Sequence, residues 1–351
     1  MARPVPNVAG DTLPTLFQKY RPHIDAALRN GVPSDDLNIY LMLRYAMGWS
    51  DADGNPGDSP TGKGLRPTLC LQTCEASGGT IERALPAAAS LELIHNFSLI
   101  HDDIQDRDET RHHRPTLWSV WGDPKALVAG NALRVLADHV VGDLTCAGAP
   151  YDLAVRVTAL LTAAYLEMIE GQYLDLAYET KTGVTLDDYL QMISRKTGAL
   201  IRCSAELGAV IGSGEEETVK AMREWGRALG FVFQIRDDYL GVWGKEEKTG
   251  KPVGTDILRR KKTYPVVHAM ANAEGATLDR LTGIYSQEQI YDSQVDVVMD
   301  VMEGLDTRNS TQALAARHCE EATYWLSTVE FDGEAKRDME EVAQYLLVRE
   351  R

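Results

Sequence analysis

Apolar residues recur at intervals of three and four along almost the whole chain, as in Val297, Val298, Val301 and Met302. An α-helix turns by about 100° per residue, so this spacing gathers the apolar side chains on one face. No stretch has the strict alternation, bounded by turn residues, that indicates a β-sheet. The chain is therefore predicted to be all-α.

Glycine and proline cluster between the helix-patterned segments, at residues 51–64, 77–80, 148–151, 212–214 and 244–254. The segments between these breaks are long enough for helices of roughly 10 to 30 residues. We find neither a low-complexity linker nor a repeat of fixed period. Residues 1–351 are therefore predicted to form a single domain.

The composition argues against several partners and locations. A formal net charge of −16 disfavours nucleic acid or an anionic membrane surface as the main partner. The five cysteines are scattered, the N-terminus lacks the apolar segment of a signal peptide, and no apolar run is long enough to span a bilayer. We expect a cytoplasmic protein without an integral membrane segment.

Two short acidic clusters each close an apolar, helix-patterned run. The first cluster is Asp102, Asp103 and Asp106, and the second is Asp237 and Asp238. Carboxylates near the C-terminal end of a helix repel one another and face the negative end of its dipole. A hard divalent cation with oxygen ligands is the natural compensation. Together the clusters could hold several Mg²⁺ ions around a diphosphate.

Cationic residues occur where a diphosphate would need them. Lys63 and Arg66 lie near the predicted start of a helix, where backbone N–H groups and the dipole also favour an anion. Arg111 follows the first acidic cluster, and Lys196 and Lys251 lie in or beside breaks in the helical pattern. Each residue alone is typical of a protein surface, so the hypothesis depends on their joint arrangement.

The order of these residues resembles one family, the trans-isoprenyl diphosphate synthases, also called polyprenyl synthetases. The resemblance is strong over residues 62–265 and weak in the flanks. It is carried by an ordered series of motifs: Gly62-Lys63-x-x-Arg66-Pro67, Glu92-x-x-His95, Asp102-Asp103-x-x-Asp106, Arg111, Pro115-Thr116, Gly171-Gln172-x-x-Asp175, Lys196-Thr197, Phe233-Gln234-x-x-Asp237-Asp238, Gly250-Lys251, Asp256 and Lys261.

The resemblance implies an isoprenoid synthase fold, which is a barrel of long helices around a deep apolar cavity, with the two clusters facing each other across its mouth. It also implies a homodimer and three Mg²⁺ ions per site. The implied metal ligands are carboxylates, with Asp102, Asp106 and Asp237 as the main ones and Asp103, Asp238 and Asp175 assisting.

The same resemblance implies two substrate sites and a reaction. The isopentenyl diphosphate site would consist of basic residues: Lys63, Arg66, His95 and His112. The allylic diphosphate site would consist of Arg111, Gln172, Asp175, Lys196, Thr197, Gln234, Lys251 and Lys261. Metal ions would neutralise the leaving diphosphate, so that an allylic cation forms and the isopentenyl double bond attacks it. The catalytic set is then both aspartate clusters with Arg111 and Lys196, and the released diphosphate takes the proton.

The chain departs from the family pattern at two positions. His112 stands where a second arginine is usual, and a neutral imidazole gives no permanent charge there, so Arg114 is the alternative cation. Gly241 stands at the third acidic position of the second cluster, and we expect weakened rather than abolished metal binding. Residues 49–62 are predicted to be a loop insertion, either a lid over the isopentenyl diphosphate site or a plain surface loop.

Product length is expected to depend on side chains just before the first cluster. Ser98 precedes Asp102 by four residues, about 40° round an ideal helix, and its small side chain leaves room. Phe97 is offset by about 140° and narrows the cavity only partly. The first cluster also lacks the two-residue insertion of many bacterial farnesyl-type members. This pattern favours a C20 product, geranylgeranyl diphosphate, with the C15 farnesyl diphosphate next.

Two other functions stay open. A class I terpene cyclase on the same fold needs the first acidic cluster but not the basic isopentenyl diphosphate site, and no Asn/Ser/Glu metal triad follows Phe233. A non-catalytic regulatory subunit is weakly favoured by Gly241, His112 and the Cys70-x-x-x-Cys74 spacing, although both clusters keep their leading aspartates.

Overall fold

A computed structural model describes residues 13–57, 62–181, 183–249 and 252–350. Helices make up most of the described residues, which confirms the all-α prediction. In chain order they are α1 (Thr15–Gly31), α2 (Asn38–Ala46), α3 (Leu65–Ala76), α4 (Ile81–Gln105), α5 (Leu117–Trp121), α6 (Asp123–Gly142), α7 (Tyr151–Thr180), α8 (Leu186–Ile193), α9 (Ala199–Gly212), α10 (Glu216–Trp243), α11 (Glu246–Thr249), α12 (Thr255–Leu258), α13 (Tyr264–Asn272), α14 (Gly275–Tyr285), α15 (Asp292–Gly304), α16 (Thr307–Ser327) and α17 (Gly333–Val348).

Two features interrupt this helical pattern. A π-helical turn, Ser194–Gly198, joins α8 to α9. Two-residue strands β1 (Thr110–Arg111) and β2 (Arg114–Pro115) form an antiparallel hairpin between α4 and α5. The hairpin was not predicted, because a strand of two residues has no alternation to detect.

The chain divides into two compact units, each named here after the acidic cluster that it carries. Of the residues that the structure describes, those within 15–165 and 203–222 form the first-cluster unit, and those within 166–202 and 223–350 belong to the second-cluster unit. None of the helices in the described ranges is long and apolar enough to cross a membrane.

In the first-cluster unit, α4 packs against α3 and α6. This helix has an apolar face and a polar face, as the spacing of its residues predicts. Leu93, Phe97 and Ile100 are buried, whereas His95 and Asp102 are half-buried. Burying a side chain of this apolar kind stabilises a fold by roughly 1.5 to 3 kcal/mol. The apolar face therefore fixes α4 in the core and turns its polar edge outward.

Glycines allow α9 to approach α3 closely in the same unit. A Cβ atom at Gly208 would overlap the carbonyl oxygen of Cys70, and one at Gly212 would lie 2.7 Å from the carbonyl oxygen of Cys74. The two glycines are four residues apart and therefore lie on one helix face. This face is what brings the backbones of α3 and α9 together.

The second-cluster unit is built around α10. Ile235 of this helix is fully buried with Tyr189 of α8 and Tyr264 of α13. Nearer its C-terminal end, Val242 packs in a separate group of buried apolar residues that includes Ile257 of α12. These contacts fix one face of α10, and Asp238 lies on that buried face, whereas Asp237 is half-buried.

Candidate active site

The first acidic cluster occupies the end of α4, as predicted. Asp102 and Asp103 lie in the last turn, and Asp106 is the residue that caps it, with its backbone N–H donating to the Asp102 carbonyl oxygen at 2.7 Å. Asp102 and Asp106 are half-buried, whereas Asp103 is buried with 5% of its surface exposed. The cluster therefore has two accessible carboxylates and one that faces the protein.

Arg111 binds the buried carboxylate of the cluster. Its Nε and Nη2 atoms lie 2.8 and 2.7 Å from Oδ1 of Asp103. Burial raises the pKa of Asp103, and the hydrogen bond from Arg111 opposes that rise by stabilising the ionised form. Asp103 thus holds the guanidinium of Arg111 beside Asp102 and Asp106.

The hairpin places Arg111 at this position. Its two turn residues, His112 and His113, have φ angles of 51° and 62°. Positive φ at both turn residues is typical of a two-residue hairpin turn, although glycine and asparagine are the usual occupants. His112 lies in this turn and is exposed.

Arg114, the alternative cation, is engaged elsewhere in the same unit. It donates to the carbonyl oxygens of Tyr45 at 3.2 Å and of Ser50 at 3.0 Å, and its guanidinium lies 4.2 Å from the centroid of the Tyr45 ring. These contacts tie the hairpin to the end of α2 and to the segment after it. The role of Arg114 as the alternative cation stays a prediction.

The described part of the 49–62 loop is compact. Asp51 accepts hydrogen bonds from the backbone N–H groups of Asp53 and Asn55, at 3.0 and 2.8 Å, and Ser50 pairs with Pro56 in a β-bridge. Residues 58–61 lie outside the described residues. The proposed lid role of this loop stays a prediction.

Basic groups of the predicted isopentenyl diphosphate site converge around His95. Burial lowers the pKa of His95 well below its usual value, and the nearby positive groups of Arg66, Arg111 and His112 lower it further. His95 is therefore neutral at pH 7 and can donate or accept a hydrogen bond. The fold thus brings His95 close to three basic residues, although Arg66 and His112 are 46 positions apart in the chain.

Lys63 and Arg66 flank the start of α3, as the sequence predicts. Gly64, between them, caps the helix with a left-handed φ of 66°, a conformation that glycine adopts without a steric cost. Glu92 lies near Arg66: burial raises the pKa of Glu92, and the charge of Arg66 lowers it. The first N–H groups of a helix have no partner within the helix, so this end of α3 suits an anion.

The second acidic cluster, on α10, also contains one buried carboxylate. Asp238 is buried, and its Oδ2 accepts hydrogen bonds from the Tyr189 hydroxyl at 2.7 Å and the Tyr264 backbone N–H at 2.9 Å. Its Oδ1 accepts a hydrogen bond from Gln234 at 2.9 Å. Burial raises the pKa of Asp238 to about 7 although all three hydrogen bonds lower it. Asp238 therefore ties α10 to α8 and α13 and orients Gln234.

Asp237 is the exposed member of the cluster and carries an arginine. Its side chain is 40% exposed and forms an ion pair with Arg349, whose side chain is almost fully buried. Arg349 also donates to the Phe233 carbonyl oxygen at 3.1 Å, and Arg236 donates to the Arg349 carbonyl oxygen at 2.8 Å. Sequence reasoning missed Arg349, because no motif links it to residues more than a hundred positions earlier.

The π-helical turn carries Lys196 and Thr197. Lys196 pairs with Asp175 of α7 at 2.5 Å, and the Thr197 hydroxyl donates to Oε1 of Gln234 at 2.5 Å. Since Gln234 also binds Asp238, a continuous hydrogen-bonded series links the π-helical turn to the second cluster. π-Helical turns within α-helices often occur at functional sites.

Two glycines hold this turn between α7 and α10. A Cβ atom at Gly171 would overlap the backbone nitrogen of Lys196 and lie 2.5 Å from its Cα. A Cβ atom at Gly230 would lie 2.7 Å from the Cα of Gly198. The glycine of the Gly171-Gln172 motif is thus explained by space for the Lys196 backbone.

Two further predicted residues are described in the second-cluster unit. Gln172 is half-buried on α7 beside Gly171. Lys261 is half-buried after α12, and its backbone N–H donates to the Asp256 carbonyl oxygen at 3.0 Å. Lys251 lies outside the described residues.

In each unit, the accessible carboxylates are of a kind that suits Mg²⁺ bound together with a diphosphate. Asp102, Asp106 and Asp237 offer carboxylate oxygens that are at least partly accessible. Over the described ranges, no group of three or more His, Cys, Asp or Glu side chains forms a complete metal-binding set. Mg²⁺ does not need one, because it usually keeps several waters and binds one or two carboxylates plus substrate phosphates.

Comparisons with known proteins agree with this geometry. The polyprenyl synthetase family profile matches residues 58–302. A (2E,6E)-farnesyl diphosphate synthase from Mycobacterium bovis is 37% identical over 343 residues, which are 97% of this chain and 94% of that protein. A polyprenyl synthetase structure from Streptomyces coelicolor A3(2) has a TM-score of 0.87 at 35% identity and covers 95% of this chain and 98% of its own. A geranylgeranyl pyrophosphate synthetase structure from Pyrococcus horikoshii Ot3 has a TM-score of 0.86 at 35% identity and covers 96% and 99%.

The fold is thus the all-α isoprenoid synthase fold, as the motif series implied. The family profile spans well over half of the chain, and the relatives match almost its whole length. The protein belongs to the polyprenyl synthetase family.

Replacing Gly171 by alanine is expected to displace Lys196. The new methyl group would overlap backbone atoms, and overpacking of this kind costs about 1 to 3 kcal/mol. We expect a lower melting temperature and a large loss of prenyltransferase activity, measured by thermal unfolding and by radiolabelled product formation. Gly283→Ala is the matched control, since nothing lies within 4 Å of its Cβ position and alanine there should stabilise α14 by about 0.5 to 1 kcal/mol. Equal behaviour of the two variants would contradict the packing argument.

Proposed function

We propose that the protein is a Mg²⁺-dependent chain-elongating trans-prenyltransferase that condenses isopentenyl diphosphate with an allylic diphosphate. The observation that carries the proposal is the setting of the first cluster, where Asp103 fixes Arg111 beside Asp102 and Asp106 at the end of α4. Family membership and the names of the relatives, a farnesyl diphosphate synthase and a geranylgeranyl pyrophosphate synthetase, support the same reaction class.

In this proposal the accessible aspartates are the main metal ligands and the buried ones position neighbouring groups. Asp102 and Asp106 in one unit and Asp237 in the other would each serve as Mg²⁺ ligands, with three ions expected in all, and bound Mg²⁺ would neutralise the leaving diphosphate. Asp103 and Asp238 assist by holding Arg111 and Gln234. This division follows from burial, because a carboxylate that already accepts several protein hydrogen bonds has fewer lone pairs to offer.

The cations of the allylic diphosphate site are held in place before substrate binds. Arg111 is fixed by Asp103, and Lys196 is fixed by Asp175. Prepositioned charges stabilise a developing diphosphate anion without reorganising during the reaction. Gln172, Thr197, Lys251 and Lys261 would complete this site.

Isopentenyl diphosphate would bind at the start of α3. Lys63, Arg66 and the first N–H groups of the helix favour its diphosphate, and neutral His95 supplies a hydrogen bond. His112 would add positive charge only when protonated. With both substrates bound, the allylic C–O bond breaks, the double bond of isopentenyl diphosphate attacks the cation, and the released diphosphate accepts the proton lost from the new chain.

Alanine at Asp102 or Asp106 tests the reaction directly. Loss of an accessible metal ligand removes stabilisation of the leaving group, and we expect turnover to fall about 100- to 1,000-fold. The assay combines purified protein, Mg²⁺, labelled isopentenyl diphosphate and an allylic diphosphate, with product detected by mass. Asp296→Ala on the exposed surface of α15 serves as the matched control and should keep full activity.

Two further arms separate the other functions. A hydrocarbon formed from the allylic diphosphate without isopentenyl diphosphate would indicate a terpene cyclase. No turnover by the wild-type protein alone, with activity restored by a partner synthase, would indicate a regulatory subunit. Unchanged turnover in both alanine variants would contradict the catalytic proposal.

We propose geranylgeranyl diphosphate as the main product, and the environment of Ser98 and Phe97 supports it. Phe97 is buried, with its ring centroid 4.5 Å from that of His101 and 5.7 Å from that of Tyr165. Ser98 is half-buried, and its hydroxyl donates to the His95 carbonyl oxygen at 2.8 Å. The Phe97 ring therefore packs against neighbouring aromatic rings. The small side chain of Ser98 lies on the side of α4 that carries Asp102.

Ser98→Phe is expected to shorten the product. Phenylalanine is much larger than serine and would narrow the product cavity at the position four residues before Asp102. The growing prenyl chain should therefore stop earlier. Mass analysis after incubation with C5, C10 and C15 primers should show a shift from C20 towards C15. Ser98→Ala, which keeps the side chain small, should leave the product unchanged. Equal product lengths for the phenylalanine and alanine variants would contradict the role of this position.

We also propose that the protein is a homodimer, and exposed apolar side chains on α6 support this. Val128 and Val135 of α6 are 55% and 66% exposed, and residues seven apart lie on one face of a helix. Exposed apolar side chains on one helix face are typical of protein–protein contacts.

Introducing charge on this surface is expected to separate the subunits. Val128→Glu combined with Val135→Glu would bury two unpaired carboxylates in a dimer, which is strongly unfavourable. Analytical ultracentrifugation should show a dimer for the wild-type protein and a monomer for the double variant. Leu37→Glu, at another exposed apolar residue, should remain dimeric. A monomeric wild-type protein would contradict the proposal.

A further inference from the structure

The first helix, α1, lies outside the matched family profile, yet it packs onto the helices that carry the isopentenyl diphosphate residues. The profile begins at residue 58, whereas α1 ends at Gly31. Leu16, Tyr20 and Ile24 recur every four residues on one face of α1 and are buried, and α1 packs against α3 and α4. This buried face fixes where the polar residues of α1 project.

Arg21 of α1 reaches the loop that leads into α3. Its Nη1 donates to the carbonyl oxygen of Gly62 at 3.1 Å, and its Nε donates to Asp25, one turn later on α1, at 2.8 Å. The Gly62 carbonyl and the Lys63 N–H belong to one planar trans peptide group, in which they point in opposite directions. The contact with Arg21 therefore fixes the orientation of the peptide group that leads into Lys63.

A buried carboxylate connects Arg21 with Arg66. Glu92 of α4 has 8% of its surface exposed, and its Oε2 accepts no hydrogen bond from the residues that the structure describes. Burial raises the pKa of Glu92, whereas the charges of Arg66 and Arg21 lower it, so both guanidiniums lie near this carboxylate. A buried carboxylate is costly unless opposite charge compensates it. Glu92 thus interacts with one cation from α1 and one from α3.

We propose that Arg21 is a positioning residue for the isopentenyl diphosphate site. It holds the Gly62–Lys63 peptide group through its own hydrogen bond, and it acts through Glu92 on the guanidinium of Arg66 at the start of α3. This inference rests on the proposed function, which provides the substrate. The effect of Arg21 reaches the diphosphate through Lys63 and Arg66, without a contact of its own to the substrate.

The role is specific to one of the two substrates. In the allylic diphosphate set, Arg111 pairs with Asp103 and Lys196 pairs with Asp175, and neither ion pair involves α1. Loss of Arg21 should therefore weaken the binding of isopentenyl diphosphate and leave the binding of the allylic diphosphate unchanged. A general loss of packing would disturb both substrates, so the comparison separates positioning from a merely structural role.

Arg21→Gln tests the inference in steady-state kinetics with each substrate varied in turn. The Arg21 side chain is 43% exposed, so glutamine leaves no buried cavity, and circular dichroism checks the fold. The KM for isopentenyl diphosphate should rise about five- to tenfold, because a hydrogen bond from a charged group is lost. The kcat and the KM for the allylic diphosphate should stay within about twofold of the wild-type values. Arg21→Lys, which keeps the charge near Glu92, should recover part of the loss.

Lys19→Gln is the matched control, because it removes a positive charge from the same helix at a residue that pairs with Glu75 instead. Both of its KM values should match those of the wild-type protein. Since Arg21 acts in part through Arg66, adding Arg21→Gln to Arg66→Gln should raise the KM for isopentenyl diphosphate by a smaller factor than Arg21→Gln does alone.

Two results would overturn the inference: an unchanged KM for isopentenyl diphosphate in Arg21→Gln, or an equal rise in the KM values of both substrates. A wild-type protein that forms no product from the two diphosphates would instead overturn the proposed function.

Discussion

Repulsion between neighbouring carboxylates at the ends of helices is the constraint on which the structure around both acidic clusters depends. Each cluster meets it by burying one acid against protein partners and leaving another accessible. Asp103 binds Arg111, while Asp238 binds Gln234, Tyr189 and the N-terminus of α13. The buried acids are costly unless they are fully hydrogen-bonded, so they also fix the geometry around them. The acidic pairs in the sequence therefore combine one carboxylate that binds protein partners with one that is more accessible.

The position of a predicted cation in each unit depends on backbone shape as much as on side-chain charge. Arg111 reaches Asp103 because two histidines adopt a left-handed turn conformation in a short hairpin. Lys196 reaches Asp175 from a π-helical turn. Both cations sit on local departures from the regular helix, where the backbone can present a side chain that a continuous helix would turn away. The cost of such conformations is met by the packing around them.

Much of the fold and part of the site could be predicted from the sequence. The predicted breaks at 77–80, 148–151 and 212–214 coincide with the end of α3, the start of α7 and the end of α9, because clustered glycine and proline disfavour a helix. The two faces of α4 follow directly from helical periodicity. Local patterns, however, contain no information about contacts between distant segments. The ion pair of Asp237 with Arg349 and the location of Asp256 beside Gly241 depend on packing between elements, and neither leaves a periodic signal.

The pairing of Asp237 with Arg349 has a consequence for how substrate would reach a site of the proposed kind. The negative charge at Asp237 is already balanced by a guanidinium, just as Asp103 is balanced by Arg111. A bare divalent ion would add excess positive charge there, whereas an ion that arrives already chelated by a diphosphate brings its own balancing charge. The species recognised in the cell would then be the chelate, and its abundance, more than that of the uncomplexed ion, would govern how often the enzyme is occupied.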